Sequence, residues 1–326
     1  MALPRINQTY KNIRRFQTIL NVLVKNGFGH LIERLNLQHL ITAGRQIFGL
    51  KKYPEAETDR LTMPVRARMV LEELGPTFIK LGQLLSMRPD LIPQEFAHEF
   101  RKLQEKVPPV PFDGIRQVIE SELEASLEEL FPYFEETAYA AASIAQVHKA
   151  LLPDNRQVIL KVQRPNINQI IETDISILFQ LAHLIERYIP ESKVYSPLAI
   201  VEEFSRSIKR ELDFTIEASN TQRFYDNFAD DPQVIIPRVY WEMTTKRVLV
   251  LQRLSGVHIN QIEAMRERGW DTAKIALLGS QVFLKQILEH GFFHGDPHPG
   301  NILVMEEDVL GLIDFGIVGR LEREVL

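Results

Sequence analysis

Cysteine is absent from the 326 residues, which excludes disulfide frameworks, thiolate zinc sites, iron–sulfur clusters and cysteine nucleophiles together. A reducing compartment agrees with that lack without being required by it. No apolar run approaches the roughly 18 to 20 residues of a membrane span, and the N-terminus has no short apolar core followed by a small-residue cleavage site. The chain as given is not expected to cross a membrane. Hydrophobic residues at 45% and charged residues at 25% leave out collagen-like, disordered and repeat-array classes and point to an ordinary folded protein. The length fits one large two-lobed unit or two domains.

Acid is scarce at one end. Residues 1–52 carry nine basic side chains (Arg5, Lys11, Arg14, Arg15, Lys25, Arg34, Arg45, Lys51 and Lys52) against the single acid Glu33. That segment is near +8; the whole chain is −5, so the remainder is near −13. Such asymmetry draws an N-terminus toward an anionic surface such as lipid headgroups, or else marks a solvated helix. Phe16, Ile19, Leu20, Leu23 and Val24 fall at helical spacing between those charges. The stripe suits either a membrane-surface helix or core packing.

Leu61 to about Gln104 reads as several packed helices, interrupted at Pro76 and broken around Pro89–Pro93. The run Lys106–Phe112 is a linker by composition, because successive prolines cannot continue a helix. Ser121–Phe131 is expected to form a short helix. The stretch from Tyr133 to Pro165 reads as two or three strands with a Pro153–Asn155 turn, the start of an antiparallel sheet. Long helices are expected at about 168–188 and 198–228, then strands at Val234–Trp241 and Arg247–Leu254. A helix over Asp271–His290 ends at Gly291, and two short apolar runs, ILVM and VLGLI, follow it.

Phosphoryl transfer from a nucleotide asks little covalent chemistry of a protein, but it needs metal-bound carboxylates, a cation on the phosphates and a residue near the acceptor. In HGDPHPGN, Asp296 and Asn301 are five apart, the interval of the kinase catalytic loop, where the Asp addresses the acceptor and the Asn binds Mg²⁺. Asp314 opens DFG thirteen residues after Asn301. A hairpin of ILVM and VLGLI between them would bring Asn301 and Asp314 onto one ion. A rival metal pair, His294 with His298, is disfavoured because Pro297 and Pro299 prevent the helix that would align them.

Lys161 lies in a strand whose neighbours are apolar, where a lysine is costly unless it faces a cleft and meets anions. It is the candidate phosphate-binding lysine, with Glu217, 56 residues on, as its helical partner. Ala140, Ala141, Ala142 and Ser143 stand where a kinase has its glycine-rich turn. Alanine resists positive φ and its Cβ obstructs close backbone approach, so phosphates would be held differently there. If 198–228 is one helix, Asp213 and Glu217 share a face and Glu211 points elsewhere.

These residues resemble the UbiB/ADCK family of atypical kinases, whose marks are a KxGQ motif, an alanine-rich loop, an ExD motif and HGDxHPGN. Lys80, Gly82 and Gln83 supply the first, Ala140–His148 the second, Glu211 and Asp213 the third, and the run from His294 the fourth. The resemblance covers roughly residues 60–320. It implies an α+β, protein-kinase-like two-lobed fold with a helical N-terminal extension. Its segments would be a basic helical stretch over 1–60, a KxGQ-bearing helical extension over 61–131, an N-lobe with a helical insertion over 132–254 and a partial C-lobe over 255–326. The larger lobe is expected to be incomplete, since the chain ends ten residues after Gly316.

The resemblance further implies that Lys80 and Gln83 belong to a cover over the nucleotide cleft, with Lys80 meeting Glu211 and Asp213. ATP or ADP with Mg²⁺ would be the cofactor. A small or lipid-like substrate, such as a prenyl-quinone intermediate, is favoured over a protein. Expected partners are a membrane surface and enzymes of quinone biosynthesis, with no nucleic acid. Location is expected on the cytoplasmic or organellar matrix side, peripheral to the membrane, with any anchor beyond residue 326. Alternative functions are a non-catalytic nucleotide-dependent scaffold and a small-molecule kinase of the aminoglycoside or choline kinase type.

Overall fold

The computed structural model describes residues 3–37, 61–103, 108–305 and 309–322. Among the described residues the helices are α1 (Leu3–Lys25), α2 (Gly29–Arg34), α3 (Met63–Leu74), α4 (Pro76–Ser86), α5 (Gln94–Phe100), α6 (Phe112–Leu123), α7 (Leu127–Leu130), α8 (Ile167–Tyr188), α9 (Pro197–Glu211), α10 (Phe214–Asn227), α11 (Ile262–Glu267) and α12 (Thr272–Leu288). The strands are β1 (Tyr133–Phe134), β2 (Ala140–Ala141), β3 (Ala145–Leu151), β4 (Gln157–Gln163), β5 (Val234–Ile235), β6 (Val248–Gln252), β7 (Val257–His258), β8 (Phe292–His294), β9 (Ile302–Val304), β10 (Leu310–Leu312) and β11 (Val318–Arg320). Contacts divide the chain into two compact units.

The first unit comprises residues 1–108, 141–144 and 166–209 and is helical. The apolar stripe of α1 is consumed by its core: Leu20 is buried with Ile32 and Leu35, and Phe16, Leu23 and Val24 pack there with Leu181, Leu184 and Ile185 of α8. Of the two roles open to that stripe, core packing is the one adopted. Three of the basic residues of this region are also engaged, Arg15 with Asp174, Lys25 with Glu73 and Arg34 with Glu191, while Arg14 is exposed. Arg45, Lys51, Lys52 and the Lys106–Val107 start of the proline linker lie outside the described residues, as do the side chains of Arg5 and Lys11. Helices α3, α4 and α5 meet the expected pattern of breaks near Pro76 and Pro89–Pro93. Ile79, Phe100 and Leu103 form their shared core.

The second unit comprises 109–140, 145–165 and 210–326. Its larger sheet runs β1-β3-β4-β6, with β2 beside β3, and the β1–β3, β3–β4 and β4–β6 pairs are all antiparallel. Period-2 alternation sends Val158, Leu160 and Val162 of β4 to one face, where they pack on Ile115, Val118 and Ile119 of α6. The opposite face packs Leu249 and Leu251 on Phe214 and Ala218 of α10. Lys161 therefore projects on the α10 side. A second sheet, β5-β10-β9-β7, and the β11–β8 pair surround a core of Phe224, Phe292, Phe315 and the buried face of α12.

Three expected elements differ. The single helix over Ser121–Phe131 is replaced by α6, which ends at Leu123 with Glu124 left-handed at φ 54, and by α7, opened by a capping box between Ser126 and Glu129. The strand expected over Val234–Trp241 is confined to β5, because Pro237 has no N–H to donate; Val239 makes one isolated bridge to Leu251. The helix expected over 198–228 breaks at Leu212–Asp213. There Gln163 Nε2 donates to the Leu212 carbonyl and the Phe214 N–H to that of Lys246, so the chain trades helical bonds for bonds to the sheet.

Candidate active site

Lys161 Nζ donates to both carboxylate oxygens of Glu217, at 3.0 and 2.9 Å, joining β4 to α10. It also lies 3.5 Å from Asp314 Oδ2. Asp314 is held in an unusual backbone state, φ 59, and its Oδ1 accepts the Gly316 N–H at 3.2 Å. The next residue explains why that state persists. Phe315 is fully buried against Phe224, ring centroids 4.5 Å apart, and its carbonyl accepts from Asn220 Nδ2 at 3.0 Å. With the Phe anchored under α10, the Asp turns outward to Lys161.

The catalytic-loop segment is tied to this turn through His294. The Asp296 N–H donates to His294 Nδ1 at 3.1 Å, and His294 Nε2 lies 3.2 Å from the Ile313 carbonyl. The bond at Nδ1 assigns the proton to Nε2. Both ring nitrogens are thereby occupied, and His298 Nδ1 accepts the Gly300 N–H, so the two histidines do not form a metal pair. Asn301 Nδ2 donates to the Asp296 carbonyl at 3.1 Å. The β9–β10 hairpin forms as expected, and the Ile313 N–H donates to the Asn301 carbonyl at 3.0 Å. Asn301 therefore stands opposite the residue before Asp314, while Asp296 is exposed at the surface.

Charge at the cluster is unbalanced. Burial depresses the Lys161 ammonium's pKa, but Asp314, Glu217 and Glu211 outweigh it and hold the group above its ordinary value. Burial pushes Glu217 up to about 7; Lys161 opposes the rise, while Asp314 and Glu211 add to it. Asp314 is lowered, chiefly by Lys161. The break between α9 and α10 corrects the helical-face reading of the ExD residues. Glu211 is the exposed last residue of α9, whereas Asp213 caps α10, its Oδ1 accepting the Thr215 N–H at 3.1 Å and its Oδ2 lying 3.9 Å from Lys246 Nζ. The helix break places them so, since Asp213 and Glu217 do not share one continuous helix.

Two carboxylates, those of Glu217 and Asp314, about the one ammonium of Lys161 suit an added cation. Among the described residues no group of three or more His, Asp or Glu is arranged to hold a metal alone. Asp314 and Asn301 fit Mg²⁺ in its usual manner, through one or two protein oxygens with the remainder from phosphates and water. Such an ion would supply charge neutralisation at the transferring phosphate. Of the alanine-rich residues, Ala140 is exposed, Ala141 and Ala142 are half-buried, and Ser143 is enclosed with its hydroxyl unpartnered among the described residues.

In the helical unit, Lys80 is half-buried on α4, and Gln83 Nε2 donates to the Leu103 carbonyl at 3.3 Å. The glycine between them answers a packing demand. A Cβ on Gly82 would stand 2.6 Å from Leu71 Cδ1 and closer still to Leu103 Cδ1. The roles of Phe315, Asn220 and His294 as anchors were not read from the sequence; DFG itself signals the first, while nothing local signals Asn220.

The model of the ABC1 atypical kinase-like domain matches residues 102–325. The chain belongs to that family. This ABC1 member is 38% identical over 291 residues to a protein named probable protein kinase UbiB from Marinobacter nauticus, covering 88% of this chain and 53% of that one. It is 38% identical over 322 residues to a probable protein kinase UbiB from Aeromonas hydrophila, covering 97% and 58%. The chain thus spans little more than half the length of these relatives. Among solved structures, the complex of Rv3197 with erythromycin from Mycobacterium tuberculosis matches with a TM-score of 0.57 and 27% identity, covering 88% of this chain and 67% of that one. The family resemblance seen in the motifs and the kinase-like α+β fold both stand.

Proposed function

We propose that this ABC1 member binds a magnesium nucleotide and acts as an atypical kinase or ATPase on a small or lipid-like substrate in prenyl-quinone synthesis, peripherally at a membrane. The observation that carries the reading is the Lys161–Glu217 pair with Asp314 3.5 Å from the same ammonium. In phosphoryl transfer a strand lysine paired to a helical glutamate holds the phosphates, and the Asp opening DFG holds the metal. Asp296 would face the acceptor, Asn301 would share the metal and the alanine-rich turn would lie along the phosphates. The relatives named as probable protein kinases support the chemistry, and the KxGQ resemblance supports a small substrate rather than a protein. Among the described residues no helix is long and apolar enough to cross a membrane.

Thermal denaturation with Mg-ATP and Mg-ADP tests the binding. A ligand at about a hundred times its Kd adds ~2.7 kcal/mol, a rise of about 5 °C for a protein of this size. Omitting magnesium, or substituting Asp314→Asn or Lys161→Met, should abolish the rise. No shift with either nucleotide in the unaltered protein would remove the proposal.

A further inference from the structure

Helix α3 ends at Leu74 and α4 begins at Pro76, so the single residue Gly75 sets the angle between them. Gly75 takes φ +93, which side-chain-bearing residues resist, and Pro76 has no N–H to offer back to α3. The Gly75 carbonyl is satisfied inside α4 by the Phe78 and Ile79 N–H groups, both at 3.0 Å. The Leu74 carbonyl instead accepts Arg15 Nη2 at 2.7 Å. It sits at a helix C-terminus, where carbonyls lack intrahelical donors and a cation is favoured.

The same guanidinium holds Asp174 of α8, from Nε to Oδ1 at 2.7 Å and from Nη2 to Oδ2 at 3.0 Å. Its centre also lies 5.7 Å from the ring of Phe78, on the first turn of α4. Arg15 thus touches both sides of Gly75 and is itself fixed by an acid with no exposed surface. At and just beyond the end of α1, Lys25 and Asn26 hold Glu73 at 2.7 and 3.3 Å. The ion pair of that second grip, Lys25 with Glu73, is exposed and weaker.

We propose that Arg15 is a positioning residue. Through the buried pair with Asp174, α1 fixes the hinge at Gly75 and hence the direction in which α4 presents Lys80 and Gln83. The consequence for nucleotide rests on the function proposed above; the hinge itself does not.

The test is amide exchange by mass spectrometry on the whole chain carrying Arg15→Met with Asp174→Leu, which removes the charge pair and keeps the volume. Amides of α4 should exchange about tenfold faster, with those of α12 unchanged. The Kd for Mg-ADP should shift about fivefold. Arg15→Lys, which keeps the charge but cannot span both acceptors, should fall between. If the double variant does not fold, Asp174→Asn leaves one acceptor and should loosen α4 in the same direction. Exchange of α4 within about twofold of the unaltered protein, or equal acceleration in α1, α3, α4 and α8 as for a merely stabilising pair, overturns the proposal. Absence of Mg-ADP binding in the unaltered protein would instead remove the nucleotide reading and leave the exchange result to decide the hinge.

Discussion

The two units treat a buried carboxylate in opposite ways. In the helical unit Asp174 has no exposed surface, and one guanidinium satisfies both of its oxygens. The pair sums to zero. In the α+β unit Glu217 is also buried and also places both oxygens on one cation, yet Asp314 lies 3.5 Å from the same ammonium. That cluster is short of positive charge. Burial is similar at the two sites, so the number of carboxylates per cation separates a closed structural pair from one that a metal ion would complete.

The largest expected effect tests what holds the open cluster together. Phe315→Ala should cost about 3–5 kcal/mol in urea unfolding, because it empties a fully buried site beside Phe224. Release of Asp314 should also remove the thermal rise on adding Mg-nucleotide. Retention of that rise would mean that the outward turn of Asp314 does not depend on its neighbour's packing.

The comparison itself is put at risk by cutting each cation. Arg15→Ala leaves Asp174 buried and unpaired and should also cost about 3–5 kcal/mol. Lys161→Met should cost less, about 1–2 kcal/mol at pH 7, since Glu217 can take up a proton. A larger loss at Lys161 than at Arg15 in denaturant titrations would break the contrast.

Acid titration sharpens it further. Glu217 sits at about 7, above its ordinary value of ~4.3, so between those values the folded state keeps a proton that the unfolded chain has released. Its stabilising contribution is complete below ~pH 4.3 and declines by at most about 3–4 kcal/mol as pH rises through 7. Asp314 is lowered, so its contribution is present above ~pH 3.9 and is lost as pH falls through its folded value. The windows are separate. Melting temperatures of Glu217→Gln should lack the decline and keep the acid limb; an unchanged slope would contradict the charge excess.

The smallest effect is expected at Gly82. Gly82→Ala gains about 1 kcal/mol of helix propensity but presses on Leu71 and Leu103 at a cost of about 1–3 kcal/mol. The net loss should be about 1 kcal/mol by thermal melting, with no change in the cluster around Lys161.

Features carried by a few neighbouring residues were legible in the sequence. Spacing set the β9–β10 hairpin between Asn301 and Asp314, prolines marked the breaks around α4, and the apolar neighbours of Lys161 announced a strand. The composition of Ser121–Phe131 was misleading, because Ser126 and Glu129 start a new turn rather than continue an old one. Apolar periodicity in α1 gave the face to be buried but not its partner, since a lipid surface and α8 ask for the same stripe.

By itself, the sequence named the candidate site residues, a lysine and a glutamate with two aspartates and an asparagine, because turn geometry and strand alternation are local. Tertiary structure alone decided the break at Leu212–Asp213, where bonds from Gln163 and to Lys246 replace helical ones. That break turns Asp213 into the cap of α10. It also decided that residues 166–209 gather with the N-terminal helices. Both outcomes depend on groups distant in the chain competing for the same backbone carbonyls and apolar faces, and local periodicity holds no record of that competition.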